Sequence, residues 1–184
     1  MAVIVITGTP GTGKTTIAKS LASRLPGSTL IHINDRIKEK KLYTSLASDG
    51  ALVVDMRKLN KEIQAILKEN KSKNLILEGH ILCDVKVKGA TVVVLREHLK
   101  VLIKRMKKRG YGIGKIKDNV VAEATDYCGI NALRNYKKVI ELFAKKGTER
   151  EIMRFVRSNK KEGRSIELLD ELTEVMEEDS RFAR

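Results

Sequence analysis

Gly8-Thr9-Pro10-Gly11-Thr12-Gly13-Lys14-Thr15 is the stretch from which the rest of the chain is read. Ala2-Val3-Ile4-Val5-Ile6 runs ahead of it, an apolar run of the length of a buried strand. Ile17-Ala18-Lys19-Ser20-Leu21-Ala22 follows and reads as a helix. Strand, glycine-rich loop and helix in that order make the eight residues a phosphate-binding loop. Gly8, Gly11 and Gly13 let the backbone turn tightly and bring its N–H groups close to phosphate oxygens. The helix that begins near Lys14 adds the positive end of its dipole. In such a loop Lys14 reaches the β- and γ-phosphates of a nucleotide, and Thr15 offers its hydroxyl to Mg²⁺.

Length and composition bound the rest. The chain has 184 residues, enough for one domain with a substantial core, and 42% of them are apolar, which excludes a disordered chain. No segment has the apolar length of a membrane span. The N-terminal apolar run is short and leads straight into the loop, so it does not read as a signal peptide. Cys83 and Cys128 lack metal-ligand spacing and point to a reducing compartment, hence to the cytoplasm. The formal net charge is +14, more than nucleotide phosphates account for, and a polyanion such as RNA would account for more. Against that, 33% of the residues are charged and Gln64 is the only glutamine. Proteins from hot environments share that composition for reasons of their own. RNA contact and a merely solubilising surface weigh evenly.

Further along, residues 30–33, 75–79, 91–96 and 139–143 read as strands, with a helical continuation open for the last. A helix ends before Pro26-Gly27, and Asn34 or Asp35 is positioned to cap the next. Asp49-Gly50 marks a turn. Leu59, Ile63, Ile66 and Leu67 share one helical face, as do Leu99, Leu102, Ile103 and Met106. Residues 109–114 carry three glycines and read as a mobile loop, followed by a helix over about 115–136 that Gly129 is placed to break. Thr148 and Glu151 have the spacing of a capping box opening a basic helix, and an acidic helix closes the chain. Alternating strands and helices predict a parallel sheet with helices on both faces. Such sheets bind ligands beyond the carboxyl ends of their strands. The glycine-rich loop, Asn34-Asp35, Glu78-Gly79-His80 and Arg96 are all expected at that edge.

Glu78 ends the apolar run Leu75-Ile76-Leu77, where a carboxylate holds Mg²⁺, usually through a water. His80, two residues on, is placed to orient a nucleophile or to sense the nucleotide, although a lone histidine is more often only packed. His32 and His98 read as structural. Arg105 and Arg109 are four apart and share a helix face. Arg109 stands beside the glycines, where a closing loop delivers an arginine to a phosphoryl group in flight. Lys107 and Lys108 read as solvated surface.

The residues 8–16 (Gly-Thr-Pro-Gly-Thr-Gly-Lys-Thr-Thr), Asn34-Asp35, Glu78-Gly79-His80 and the run from Arg109-Gly110-Tyr111 to Lys117-Asp118-Asn119 occur in one order. Together they resemble the short-lid adenylate kinases of archaea and the related nuclear adenylate kinase, isoenzyme 6. The resemblance extends from Met1 to about Thr148. It implies an α/β, three-layer P-loop nucleoside-monophosphate kinase fold with a five-stranded parallel sheet, order 2-3-1-4-5, and helices on both faces. It implies a monophosphate-binding region at 34–55 and a short lid at 108–118, within a single domain over 1–184 whose C-terminal helices at 148–184 are read from the residues and lie beyond the resemblance. The implied reaction is ATP plus AMP giving two ADP, dependent on Mg²⁺. Gly11, Gly13, Lys14, Thr15, Thr16 and Arg109 would bind ATP, and Asp35, Lys38 and Arg96 would serve AMP. Thr15 and Glu78 would hold the metal, and Lys14, His80, Arg105 and Arg109 would act in the chemistry.

Lys38 stands where the family often has arginine, and Glu78 where the nuclear relatives have aspartate. The resemblance also implies a link to maturation of the small ribosomal subunit, with a ribosomal protein and rRNA as partners. The alternative reading is accordingly an ATPase assembly factor with little kinase turnover. The expected protein is a monomer that does not engage membranes.

Overall fold

The computed structural model describes residues 2–47, 50–71, 73–163 and 165–178. In chain order its elements begin with β1 (Val3–Thr7), α1 (Lys14–Arg24), β2 (Ser28–His32), α2 (Ile33–Glu39), β3 (Tyr43–Leu46), β4 (Leu52–Val54) and α3 (Met56–Glu69). Next come β5 (Asn74–Glu78), a 3₁₀ turn at His80–Asp84, β6 (Thr91–Arg96), α4 (Leu99–Lys108) and α5 (Ile113–Ala124). The chain continues with α6 (Tyr127–Asn135), β7 (Val139–Phe143), α7 (Thr148–Arg157), β8 (Glu162–Gly163) and α8 (Leu169–Glu178).

β1 is buried along its whole length, as a strand covered on both faces must be. It lies between β5 and β6, with Ile4 opposite Ile76 on one side and Thr91 on the other. The sheet runs β2-β5-β1-β6-β7-β8, and every pair in it is parallel. The five principal strands thus take the predicted order 2-3-1-4-5. The sheet has six strands rather than five, because β8 adds a two-residue edge beside Val139 and Ile140. Glu162-Gly163 has no apolar run to announce it. A second, antiparallel pair, β3 with β4, lies between α2 and α3.

Side chains alternate across the sheet with period two. Val5, Leu77, Val92 and Val94 pack on Ile37 of α2, Leu59 and Ile63 of α3 and Ala132 of α6. Ile4, Ile6, Ile76, Val93 and Leu95 pack on Ile17 and Leu21 of α1 and Ile152 and Phe155 of α7. A third core joins Leu102 and Met106 of α4, Ile116 and Val120 of α5, and Leu168 and Val175. The acidic α8 therefore packs on α4 and α5. Glu171 accepts the Leu99 N–H at 2.9 Å and contacts His98 Nδ1 at 2.6 Å, and Lys100 Nζ reaches Glu178 at 2.8 Å.

Several local expectations change. α2 starts at Ile33, directly after His32, with no side-chain cap. The helix expected over 115–136 is two helices, and the break falls at Asp126 rather than Gly129. Asp126 takes φ 54 and caps α6 by accepting the Gly129 N–H at 3.1 Å. A Cβ on Gly129 would sit 2.3 Å from that carboxylate, so the glycine serves the cap. Gly112 immediately precedes α5 and Gly114 lies inside it, which confines the glycine loop to residues 109–112. Thr148 makes no capping box. Its hydroxyl turns back to the carbonyls of Phe143 and Lys145. Residues 139–143 are strand, not helix. Asp49, read as part of a turn, lies outside the described residues, as do Met1 and the last six positions.

Candidate active site

The glycine-rich loop leaves β1 at the carboxyl edge of the sheet. Gly8 has φ +134, and a Cβ there would lie 2.2 Å from the Leu95 carbonyl oxygen, so only glycine lets the loop pass this close to β6. The loop then closes on itself. Thr12 Oγ1 and Lys14 Nζ donate to the Thr9 carbonyl at 2.9 and 3.0 Å. α1 starts from Gly13 with no side-chain cap and no acid in its first turn. Its free N–H groups and dipole are thus left for an anion. Lys14 is 7% exposed. Burial lowers its pKa, and the Glu78 carboxylate pulls the other way.

β5 delivers Glu78 to the same place. The carboxylate lies 3.4 Å from Thr15 Oγ1 and 2.7 Å from His32 Nδ1. His32 and Glu78 are register partners on adjacent strands, which explains why this histidine, read from sequence as structural, orients the acid. Thr15 and Glu78 form an oxygen-only pair beside the loop, the donor type that Mg²⁺ uses together with phosphates and water. Among the described residues no cluster of three or more His, Cys, Asp or Glu could hold a metal by itself.

The turn after β5 is pinned by Thr7, whose hydroxyl donates to the His80 carbonyl at 2.9 Å. The His80 ring opens into the cleft. Desolvation by the surrounding protein, and then the charge of Lys14, hold its pKa below the usual histidine value, so the ring is neutral near pH 7.

A cavity of about 630 Å³ joins Lys14, Thr15, Glu78, His80 and Arg109 to Asn34, Lys38, Leu52 and Val54 across the cleft, and to Tyr111 and to Lys115 and Asn119 of α5. A second, of about 410 Å³, lies against Gly11, Gly13, Thr16 and Arg105, with Lys145 and Glu149 on its far wall. Arg109 borders both. Arg105 braces the loop, donating to the Gly11 carbonyl at 2.9 Å while Glu97 holds it at 2.6 Å.

Of the residues singled out from sequence, Gly11, Gly13, Lys14, Thr15, Thr16, Lys38, Glu78, His80, Arg105 and Arg109 all line these two spaces. Asp35 lines neither. Helical spacing puts Asn34 and Lys38 on the cleft face of α2 and turns Asp35 away to solvent. Arg96 is also corrected. Its side chain is 1% exposed and closed in by acids from three later elements. Nε meets Glu123 at 3.1 Å, Nη1 meets Glu141 at 2.9 Å and Asp126, and Nη2 donates to the Glu123 carbonyl at 2.7 Å. Arg96 fastens β6 to α5, α6 and β7 and contacts no part of the cleft.

Three carboxylates around one guanidinium leave excess negative charge. Burial, and then the neighbouring Asp126, push the Glu141 carboxyl up to about 7. Because this pKa is raised on folding, the stability it allows is present at low pH and is lost as pH rises through 7. Glu141→Gln, which cannot ionise, should therefore gain on the wild type between pH 5 and pH 8, by on the order of 2 kcal/mol. Urea unfolding of both proteins at several pH values checks this, and parallel curves would refute it.

Fold and cleft together define a P-loop nucleotide-binding protein. A family model described as "AAA domain" matches residues 4–126. A protein of Methanocaldococcus jannaschii named "Putative adenylate kinase" is 42% identical over 126 residues, 68% of each chain. One of the same name from Pyrococcus furiosus is 36% identical over 151 residues, 82% of this chain and 79% of that one. A shikimate kinase from Bacteroides thetaiotaomicron has the same fold at 15% identity, with a TM-score of 0.61 over 85% of this chain and 99% of its own. The chain belongs to the P-loop family of these archaeal proteins named "Putative adenylate kinase".

Proposed function

We propose that the protein is an adenylate kinase, which with Mg²⁺ moves the γ-phosphoryl group of ATP to AMP and forms two ADP. The observation that carries this reading is the single cavity that runs from the phosphate-binding loop to Asn34 and Lys38. Donor and acceptor can face one another in it without a covalent intermediate on the protein.

The backbone of Gly11, Gly13 and Thr16 would hold the ATP phosphates, and Lys14 their outer charge. Thr15 and Glu78 would keep Mg²⁺ on the phosphate oxygens, where it supplies charge neutralisation. Lys38 and Asn34 would receive the monophosphate, Lys38 as a point charge without the two-pronged grip of arginine. Arg109, at the end of α4, is placed to follow the lid onto the phosphoryl group, with Arg105 anchoring the same helix to the loop. Neutral His80 can exchange hydrogen bonds with the acceptor side without adding charge. Lid closure over this space would shut out water and suppress hydrolysis of ATP.

A second reading, an ATPase that acts with RNA and protein in assembly of the small ribosomal subunit, is favoured by one surface. Lys145, Lys146, Arg150, Arg154, Arg157, Lys160 and Lys161 are exposed on and around α7. Glu171, Glu174 and Glu178 of α8 pair elsewhere, with His98 and Lys100.

ADP formation from ATP and Mg²⁺, with and without AMP, separates the two. The kinase reading expects AMP to raise the rate at least ~10-fold. Slow ATP loss indifferent to AMP would transfer the proposal to the assembly ATPase.

A further inference from the structure

The chain has two cysteines, Cys83 and Cys128, and both are buried free thiols. They are 45 residues apart in sequence, yet their sulfurs lie 3.7 Å from one another. Cys83 stands in the 3₁₀ turn at His80–Asp84 that follows β5, and Cys128 in the first turn of α6. The kinase reading gives neither thiol a task.

The two backbones are laced together. Tyr127, Asn131 and Asn135 are spaced four apart and form one stripe along α6, and Cys128, three before Asn131, borders it. All three donate into the turn. The Tyr127 hydroxyl and Asn131 Nδ2 meet Asp84 Oδ1 at 3.1 and 2.8 Å, and Asn135 Nδ2 meets the Cys83 carbonyl at 2.9 Å. Tyr136 adds its hydroxyl to the Leu82 carbonyl at 2.7 Å. From 3.7 Å, closing to the about 2 Å of a disulfide asks for small side-chain rotations inside a frame already fixed.

Access to the two thiols differs. Cys128 is 7% exposed and lines the larger cavity with Lys14 and His80, whereas Cys83 is 1% exposed and lines neither cavity. The hydrogen bond between the thiols, and then burial, hold Cys83 far above the usual thiol pKa, so it is inert by itself. A small oxidant in the cleft therefore meets Cys128 first.

We propose that Cys83 and Cys128 form an oxidative modification site, at which hydrogen peroxide entering through the nucleotide cleft makes a reversible disulfide that staples the His80–Asp84 turn to α6. The Cys128 sulfur attacks one peroxide oxygen, the O–O bond breaks, and the departing hydroxide leaves as water with the thiol proton. A sulfenic acid remains. The Cys83 sulfur then attacks the sulfenic sulfur, the S–O bond breaks, and the second hydroxide leaves as water with the Cys83 proton. The thiols lose two electrons and the peroxide gains them. A ligand that fills the cleft covers Cys128. The bridge constrains the unfolded chain across a 45-residue separation and so stabilises the fold. Formation of the bridge does not depend on the kinase reading, and its protection by a ligand uses only the nucleotide-binding cleft.

The test treats the reduced chain with hydrogen peroxide, with and without saturating Mg²⁺ and ADP, and follows it by intact mass, peptide mapping and thermal unfolding. The expected product has lost two hydrogens, keeps no added oxygen, yields a peptide joining Cys83 to Cys128, and returns to the starting mass with dithiothreitol. Mg²⁺ and ADP should slow bridging ~5-fold or more, since only the unoccupied fraction reacts. The bridged protein should melt about 5–10 °C higher than the reduced one. Cys83→Ala should stop at a Cys128 sulfenic acid that dimedone captures, and Cys128→Ala should keep its Cys83 thiol. Survival of both thiols, a sulfinic acid without a bridge, or a link between two chains would overturn the proposal. So would bridging at an equal rate with the cleft filled, first oxidation at Cys83, or a bridged protein that melts no higher. A melting shift with Mg²⁺ and ADP shows that the cleft is filled. Without that shift the nucleotide reading fails on its own, and the mass and the peptide map still decide the bridge.

Discussion

Arg96→Met should destabilise the protein by about 3–5 kcal/mol, the range for removing one partner of a buried ion pair. The guanidinium is enclosed by Glu123, Asp126 and Glu141, and its loss leaves three carboxylates crowded together with nothing positive between them. Glu123 also accepts the Glu97 backbone N–H at 2.9 Å, so the damage would spread to the start of α4. The urea midpoint measures the effect. In protein that remains folded, KM for ATP and for AMP should hardly move, since Arg96 lines neither cavity. An unchanged midpoint with a raised KM for AMP would return Arg96 to the substrate role that its strand-end position suggests.

The opposite pattern is expected at Lys14. On the kinase reading, Lys14→Met should reduce phosphoryl transfer by ~10³-fold or more, because the buried ammonium would supply charge to the phosphates. It should cost no stability. The ammonium is nearly buried, its pKa is lowered first by that burial, and a methionine of similar length needs no such desolvation. Initial rates and a melting curve on the same preparation check both halves. A variant that kept substantial activity would mean that Lys14 serves only to close the loop on the Thr9 carbonyl.

These two residues also mark how far the sequence could be read. Lys14 was legible because everything that defines it is local: an apolar strand before it, glycines at fixed spacing and a helix after it. The parallel sheet was legible for a related reason, since strands alternate with helices along the chain, whereas the order of its five main strands came only from the family resemblance. Arg96 was not legible. Its position on β6 was read correctly, but the acids that claim it come from 27 to 45 residues later, and no local pattern announces them.

His32 is the converse case. It became meaningful only when the sheet register set it beside Glu78. β8 and the β3–β4 pair were missed because two to four residues on an edge need no apolar alternation. The single long helix was expected because Asp126 looks like an ordinary helical residue until its left-handed backbone is seen.

The most direct measurement follows the γ-phosphoryl group itself. ATP labelled at the γ-position is incubated with the protein, Mg²⁺ and unlabelled AMP, and the products are separated. Direct transfer in the shared cavity predicts label in ADP and almost none in free phosphate, with both signals absent in Lys14→Met. Label released mainly as free phosphate, at a rate unaffected by AMP, would contradict the kinase reading.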